Sequence, residues 1–212
     1  MIHEVDSALR ALILREGLDG ADVEIAFDAP TKDWASRRNA PTVDVYLYDI
    51  REDLRRRSRG MINEYSGDRV VARHLPPRYF RLSYLLTAWT QRPMDEHRLL
   101  AALLRCFLRH EALPGDLLEG PLETGLPVPV DVALPPPEDR SFADVWSALG
   151  GELKPSLDIV VCVPVDPGWR QEGPRTPGVV RVSAGGFDDD PPREERRRNG
   201  PARPDPTGPG DG

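Results

Sequence analysis

Residues 142–163 read Phe-Ala-Asp-Val-Trp-Ser-Ala-Leu-Gly-Gly-Glu-Leu-Lys-Pro-Ser-Leu-Asp-Ile-Val-Val-Cys-Val. The first half predicts a short amphipathic helix, because its large apolar residues recur at helical spacing. Two glycines end that helix, and Pro155 prevents its continuation. From Ser156 to Val163 almost every residue is apolar, which is typical of a strand buried on both faces inside a sheet. The stretch holds no cluster of nucleophile, base and metal-ligating residues, so it indicates packing and assembly rather than catalysis.

Hydrophobic periodicity predicts the other elements of the chain. Apolar stripes predict a helix over residues 2–16 and a second, leucine-rich helix that begins at Pro93. Alternating apolar residues predict strands over residues 23–27, 42–50, 78–90 and 128–132. Residues 31–41 are expected to form a polar loop that contains Trp34. In the strand over residues 42–50, one face is expected to carry Val43, Val45 and Leu47, and the other Tyr46, Tyr48 and Ile50.

The order of these elements favours one α/β domain in which two to three helices pack on a mixed β-sheet. The composition of the chain changes after this domain. Ten of the 23 prolines and nine of the 18 glycines follow residue 163. A segment of that composition buries too little apolar surface to fold. We therefore expect a folded domain over residues 1–165 and a disordered, charged, Pro/Gly-rich tail over residues 166–212.

Charge and cysteine content argue against several classes of protein. The formal net charge of −7 is unlike the basic surface of a general nucleic-acid-binding protein. The N-terminus has no signal-peptide pattern, and no run approaches the ~20 apolar residues of a membrane span. Cys106 and Cys162 lie in apolar runs, which favours buried thiols in a reducing compartment. We expect a cytoplasmic protein with no nucleic-acid partner, no metal and no cofactor.

Residues 51–77 are highly charged, weakly periodic and too long for an ordinary connection, so they are predicted to form a projecting arm or long hairpin. Both signs of charge occur there, which favours a solvated or intersubunit face over a phosphate-binding or nucleic-acid-binding one. Complementary charges of this kind set the register of an interface. The candidate subunit-interface residues are Arg51, Asp53, Arg55, Arg56, Arg57, Arg59 and Tyr65.

Cys106 and His110, one helical turn apart, are the strongest catalytic candidates. No third residue nearby would orient the histidine, so a packed cysteine and a surface histidine are favoured. A zinc site that added Cys162 and His97 would match no structural zinc spacing. The aromatic set Tyr46, Tyr48 and Trp89 fits a second core better than a binding hot spot.

Four separate motifs resemble one known family, in order and over about residues 1–165. They are Pro-Thr-Val-Asp-Val-Tyr-Leu-Tyr-Asp-Ile-Arg-Glu-Asp at 41–53, Arg92-Pro93 with its leucine-rich helix, Leu-Pro-Gly-Asp-Leu-Leu at 113–118, and Trp-Ser-Ala-Leu-Gly-Gly-Glu-Leu-Lys-Pro-Ser-Leu at 146–157. The family is the N-terminal domain family of cap proteins of extracellular contractile injection systems, which are particles related to contractile phage tails. Asp44 and Asp53 stand where the family is expected to carry Asn.

The resemblance implies a non-enzymatic tail terminator. Such subunits are expected to form a sixfold ring on the last layer of the inner tube and to bind the final ring of sheath subunits. The alternative within the same class is a baseplate or tube adaptor at the opposite end of the particle. The alternative from another class is an enzyme that uses Cys106 and His110.

Overall fold

The computed structural model describes residues 1–18, 22–135 and 141–173. The larger sheet has the strand order β1-β2-β5-β7-β6, and the smaller sheet has the order β3-β4-β8. The strands are β1 (Glu24–Ala26), β2 (Thr42–Glu52), β3 (Ile62–Ser66), β4 (Arg69–His74), β5 (Arg78–Trp89), β6 (Val130–Val132), β7 (Ser156–Val165) and β8 (Arg170–Glu172). The helices are α1 (Ile2–Leu12), α2 (Lys32–Ser36), α3 (Pro93–Phe107) and α4 (Phe142–Ala148).

The larger sheet is mixed, as predicted. Strand β1 runs parallel to β2, whereas β2, β5, β7 and β6 pair antiparallel. The two long inner strands β5 and β7 are paired over ten positions, from Arg78 opposite Val165 to Thr87 opposite Ser156. The α/β prediction with a mixed sheet and a few packed helices is therefore confirmed.

The main core lies where helices α1 and α3 contact one face of this sheet. Its fully buried members include Leu9, Tyr84 and Phe107 from the two helices and the central strand. Helix α1 continues as a π-helical turn over Ile13–Gly17, so the predicted helix over residues 2–16 is confirmed with a widened last turn. Gly17 permits close packing there, because a Cβ at this position would lie 3.4 Å from Leu103 Cδ2 of α3.

The stretch over residues 142–163 folds as its sequence predicts. Trp146 of α4 is 2% exposed, and Gly150 ends the helix with φ of 66°, a conformation that suits glycine. Strand β7 lies between β5 and β6 and is buried on both faces. On its second face, Val160 and Cys162 are each 7% exposed.

Two local predictions are wrong. Trp34 lies in the short helix α2 instead of a polar loop, because the Thr31 hydroxyl caps the helix by accepting a hydrogen bond from the Trp34 amide at 3.2 Å. The pairing of β2 with β5 is interrupted between Leu47 and Asp49, which is the position of a β-bulge. The bulge reverses the alternation of side chains, so Ile50 pairs with Leu82 on the core face of the sheet, not on the face of Tyr46.

The segment predicted as an arm contains the hairpin of β3 and β4. Gly67 begins its two-residue turn with φ of 61°. Strand β8 pairs with β4 and completes the smaller sheet. Residues 170–172 lie beyond the predicted domain end at residue 165, so the first part of the predicted tail takes part in the fold. Residues 174–212 of that tail lie outside the described residues.

Candidate assembly interface

The arm, which we define as residues 51–75, is the most exposed part of the described chain. Every residue from Leu54 to Arg69 is exposed, including all five residues of β3. Large apolar side chains are exposed along it: Leu54, Met61, Ile62, Tyr65 and Leu75. Apolar groups repeated along one projecting element are typical of a surface that a partner covers.

Four of the predicted interface residues hold the base of the arm on the larger sheet. The Asp53 carboxylate accepts a hydrogen bond from the Arg55 amide at 3.1 Å and caps a 3₁₀ turn. Arg56 stacks over the Tyr79 ring at 5.1 Å, and its Nη1 lies 3.8 Å from the Cys162 sulfur. The other two form ion pairs, Arg51 with Asp49 at 3.0 Å and Arg57 with Glu52 at 3.5 Å. Arg56 and Arg57 thus tie the start of the arm to strands of the larger sheet.

The other three predicted interface residues project from the arm. The guanidinium groups of Arg55 and Arg59 have no partner among the described residues. Tyr65 is 61% exposed, and its hydroxyl accepts a hydrogen bond from Asn63 Nδ2 at 3.3 Å. The structure thus divides the predicted set into an anchored group and a group directed at solvent, and the role of both as a subunit interface stays a prediction.

Strand β8 braces the arm, a feature that its sequence Arg-Gln-Glu does not reveal. Ala72 of β4 pairs with Glu172, and the Gly173 amide donates to the Val71 carbonyl at 2.7 Å. Arg170 Nη2 forms an ion pair with Glu64 Oε2 of β3 at 2.8 Å, so β8 links both strands of the hairpin.

Cys106 and His110 do not form a catalytic pair in this geometry. Cys106 is fully buried, its thiol donates weakly to the Leu12 carbonyl at 4.0 Å, and burial raises the pKa of the thiol to about 11. His110 Nε2 contacts Glu16 Oε2 at 2.8 Å instead. A thiol with so high a pKa is a poor nucleophile at neutral pH. In the part of the chain that the structure describes, no three His, Cys, Asp or Glu side chains are grouped as metal ligands.

The aromatic residues Tyr46, Tyr48 and Trp89 are half-buried on the second face of the sheet. The Tyr48 hydroxyl donates to Asp158 Oδ1 at 2.7 Å. Trp89 packs edge-to-face against Trp34 with ring centroids 5.5 Å apart, and Lys154 Nζ lies 4.3 Å from the Trp89 ring centroid. Trp89 thus forms a small second core with Trp34 of α2, and the Tyr48 side chain is tied to β7 through Asp158.

Asp44, which stands where the family is expected to carry Asn, lies fully buried beside this second core. Neither carboxylate oxygen accepts a well-formed hydrogen bond within the described residues. Burial, and next the nearby Asp28 carboxylate, raise the pKa of Asp44 to about 8, although the Arg38 guanidinium opposes the shift. Its burial could have been predicted from the sequence, because it lies in a strand between apolar Val43 and Val45.

A cleft of about 730 Å³ opens between α3 and the loop before β2. Leu99 and Ala102 form part of its apolar wall, and its charged lining residues are Arg38, Arg92, Arg98 and Asp95. Arg98 is engaged with Asp95 at 3.0 Å. No cysteine or histidine is among its described lining residues, so the cleft adds no thiol or imidazole to the site.

Comparison with known families identifies the family to which this chain belongs. The family described as the Pvc16 N-terminal domain matches residues 4–179. The chain belongs to this family. No curated protein sequence matches it. Within the described residues, none of the helices has the length and apolarity to cross a membrane.

Two solved structures share the fold of this Pvc16 N-terminal domain chain. One is the sheath/tube terminator of the extracellular contractile injection system PVC in its extended state, with 25% identity and a TM-score of 0.61. The other is the tube-terminating cap of the anti-feeding prophage, with 22% identity and a TM-score of 0.57. The matches cover 88% and 86% of this chain, but only 65% and 60% of those proteins.

Proposed function

We propose that this chain is the structural cap, or tail-terminator, subunit of a contractile injection system. The observation that carries the proposal is the match of residues 4–179 to the Pvc16 N-terminal domain family, together with a shared fold with a sheath/tube terminator. Since the chain spans about two thirds of that terminator, its partners and activity are part of the proposal.

The physical task of such a subunit is to stop a helical tube from growing. Each heterologous contact in a tube leaves an unsatisfied copy of itself at the growing end. A cap must occupy that end with one surface and offer a different surface to solvent. In the proposed assembly, copies of this chain form a homohexameric ring on the last tube layer and bind the last ring of sheath subunits. The arm, with its exposed apolar residues and the projecting side chains of Arg55 and Arg59, is the candidate contact surface.

The proposal assigns the chain no enzymatic step and no nucleic-acid partner. The buried Cys106 thiol with its raised pKa supports the non-enzymatic role. The net charge of −7 disfavours binding to a phosphate backbone. The chain would be made in the cytoplasm and remain part of the assembled particle.

The test is the length of particles assembled with and without this chain, measured by negative-stain electron microscopy. We expect overlong or ragged tubes, or tubes without a sheath, when the chain is absent, and normal lengths when it is supplied again. The Cys106→Ser variant is a matched control and should restore length fully. Particles of normal, uniform length without the chain would overturn the cap proposal and leave a baseplate or tube adaptor. The enzyme alternative predicts instead that Cys106→Ser abolishes an activity and leaves assembly intact.

A further inference from the structure

The carboxyl group of Asp44 is buried in the larger sheet among groups that do not satisfy a negative charge. Its neighbours on the paired strands are Ala26 of β1 and Thr87 of β5, which carry no charge. Burial is the main reason that its pKa rises to about 8, and the backbone groups of Asp28 and Val45 oppose the rise only in part. Within the described residues, neither carboxylate oxygen accepts a well-formed hydrogen bond. A carboxyl group in such surroundings favours its protonated form.

The charged side chains that face Asp44 come from the segment between β1 and β2. Asp28 precedes α2, and its carboxylate adds to the cost of a second negative charge. Arg38 follows α2 and favours such a charge, but it already pairs with Glu24 at 3.4 Å and with Asp28 at 3.9 Å. Strand β5 contributes the neutral Thr87 at the paired position. Ionisation of Asp44 therefore adds a third carboxylate to two that already share the Arg38 guanidinium.

The α2 segment, which we define as residues 27–38, contacts the larger sheet through Trp34. This side chain is 9% exposed and packs edge-to-face on Trp89 of β5. Its Nε1 donates to Asp28 Oδ2 at 3.0 Å, and Arg38 Cζ lies 4.5 Å from its ring centroid. The two charged groups that face Asp44 are thus the same two that hold Trp34 in place.

The elements around Trp34 are short. Helix α2 has five residues, and a helix of that length is not stable without tertiary contacts. Strand β1, which precedes it, pairs with β2 over three positions at the edge of the sheet. The inner strands β5 and β7 pair over ten positions. The α2 segment can therefore open locally while the inner strands stay folded.

We propose that the α2 segment is a pH-operated latch, which is closed on the sheet while Asp44 holds its proton and opens locally when that proton passes to solvent. The open form hydrates the Asp44 carboxylate and separates it from Asp28. It also removes Trp34 from Trp89 and displaces Ala35 and Arg38, which line the cleft beside α3. Rising pH is the signal, and access to this end of the sheet is the response.

The direction and the size of the response follow from one proton. The pKa of Asp44 is about 8 in the closed form, because of burial and then of Asp28, and near the ordinary value of 3.8 in the hydrated open form. Between these values, each pH unit raises the ratio of open to closed form about tenfold. Above about pH 8 the carboxyl group is ionised in both forms, so the ratio becomes constant.

The experiment is hydrogen–deuterium exchange with mass spectrometry on the full chain from about pH 5 to about pH 9, with each rate divided by the intrinsic exchange rate at that pH. For the wild-type chain, we expect the corrected rate in residues 27–38 to rise about tenfold per pH unit and to become constant near pH 8. The Asp44→Asn variant should show no such rise, because its amide has no proton to lose in this range. The control Asp68→Asn, at the exposed tip of the hairpin, should keep the wild-type rise. Residues 78–86 of β5 should show no rise in any of these chains.

Three outcomes would overturn the inference. They are a corrected rate in the wild-type chain that does not change with pH, an equal rise in Asp44→Asn, and an equal rise in β5, which would mean that the whole domain opens. If Asp44→Asn does not fold, Asp28→Asn provides a second test. It removes the carboxylate that, after burial, does most to raise the pKa of Asp44, so the corrected rate should become constant at a lower pH. An unchanged profile in a folded Asp28→Asn chain would also contradict the latch.

Discussion

At the scale of single residues, Asp44 is the side chain most at odds with its surroundings. It is fully buried on β2, and burial raises its pKa to about 8. A carboxyl group whose pKa is higher in the folded than in the unfolded state binds more protons when folded. The stability that its proton provides is therefore lost as pH rises from about 4 towards 8. The charged form is the destabilising one.

The variant Asp44→Asn should remove this penalty, because an amide stays neutral. We expect little difference in stability from wild type near pH 4 and a growing advantage up to pH 8. The upper limit is roughly 6 kcal/mol, since the pKa rises by about four units and each unit corresponds to about 1.4 kcal/mol. Urea unfolding at several pH values measures the difference.

The control is Asp68→Asn, which neutralises an exposed carboxylate at the tip of the hairpin. It should change stability by less than about 0.5 kcal/mol. If Asp44→Asn gave the same advantage at pH 4 as at pH 8, the burial argument would fail, and the gain would have to come from packing.

At the scale of elements, the long helices and strands could be predicted from the sequence. Burial of one face makes apolar residues recur at a regular spacing along each of them. Strands β5 and β7 and helix α3 each repeat their pattern often enough to be recognised. Helix α2 has five residues and shows no period, and the bulge at Tyr48 is set by pairing with β5. Strand β8 is exposed and polar, so its sequence resembles a tail.

Some features of the candidate interface could be predicted from the sequence and others could not. The charges of the arm are visible in the sequence, and they predicted a projecting segment. The bracing of the arm by β8 could not be predicted, because it depends on which strands pair with β4. Similarly, periodicity does not distinguish Arg56, which stacks on Tyr79, from Arg55, which projects into solvent.

Strand β8 should govern the stability of the arm. A chain that ends at Val165 loses three paired positions, the Gly173 amide bond to Val71 and the ion pair of Arg170 with Glu64. Each backbone hydrogen bond contributes on the order of 1 kcal/mol. We expect amide exchange in β4 to be at least about tenfold faster than in a chain that ends at Gly173, measured by hydrogen–deuterium exchange with mass spectrometry.

Exchange in β5 serves as the internal control, because that strand lies inside the larger sheet and should stay equally protected in both chains. Equal protection of β4 in the two chains would contradict the bracing role of β8. Faster exchange in both β4 and β5 would indicate that the shorter chain is unfolded as a whole, which the structure does not lead us to expect.

At the scale of the whole molecule, the arm, which is the candidate contact surface of the proposed cap, and the strand that braces it lie within residues 1–173. A chain that ends at Gly173 should therefore restore normal particle length, whereas a chain that ends at Val165 should restore it poorly because its arm is no longer braced. Negative-stain electron microscopy of particles made with each chain measures this, and thermal melting confirms that both chains fold. Overlong particles from a folded chain that ends at Gly173 would mean that residues 174–212 contribute a contact needed for capping. Equal rescue by both chains would mean that capping does not depend on a braced arm.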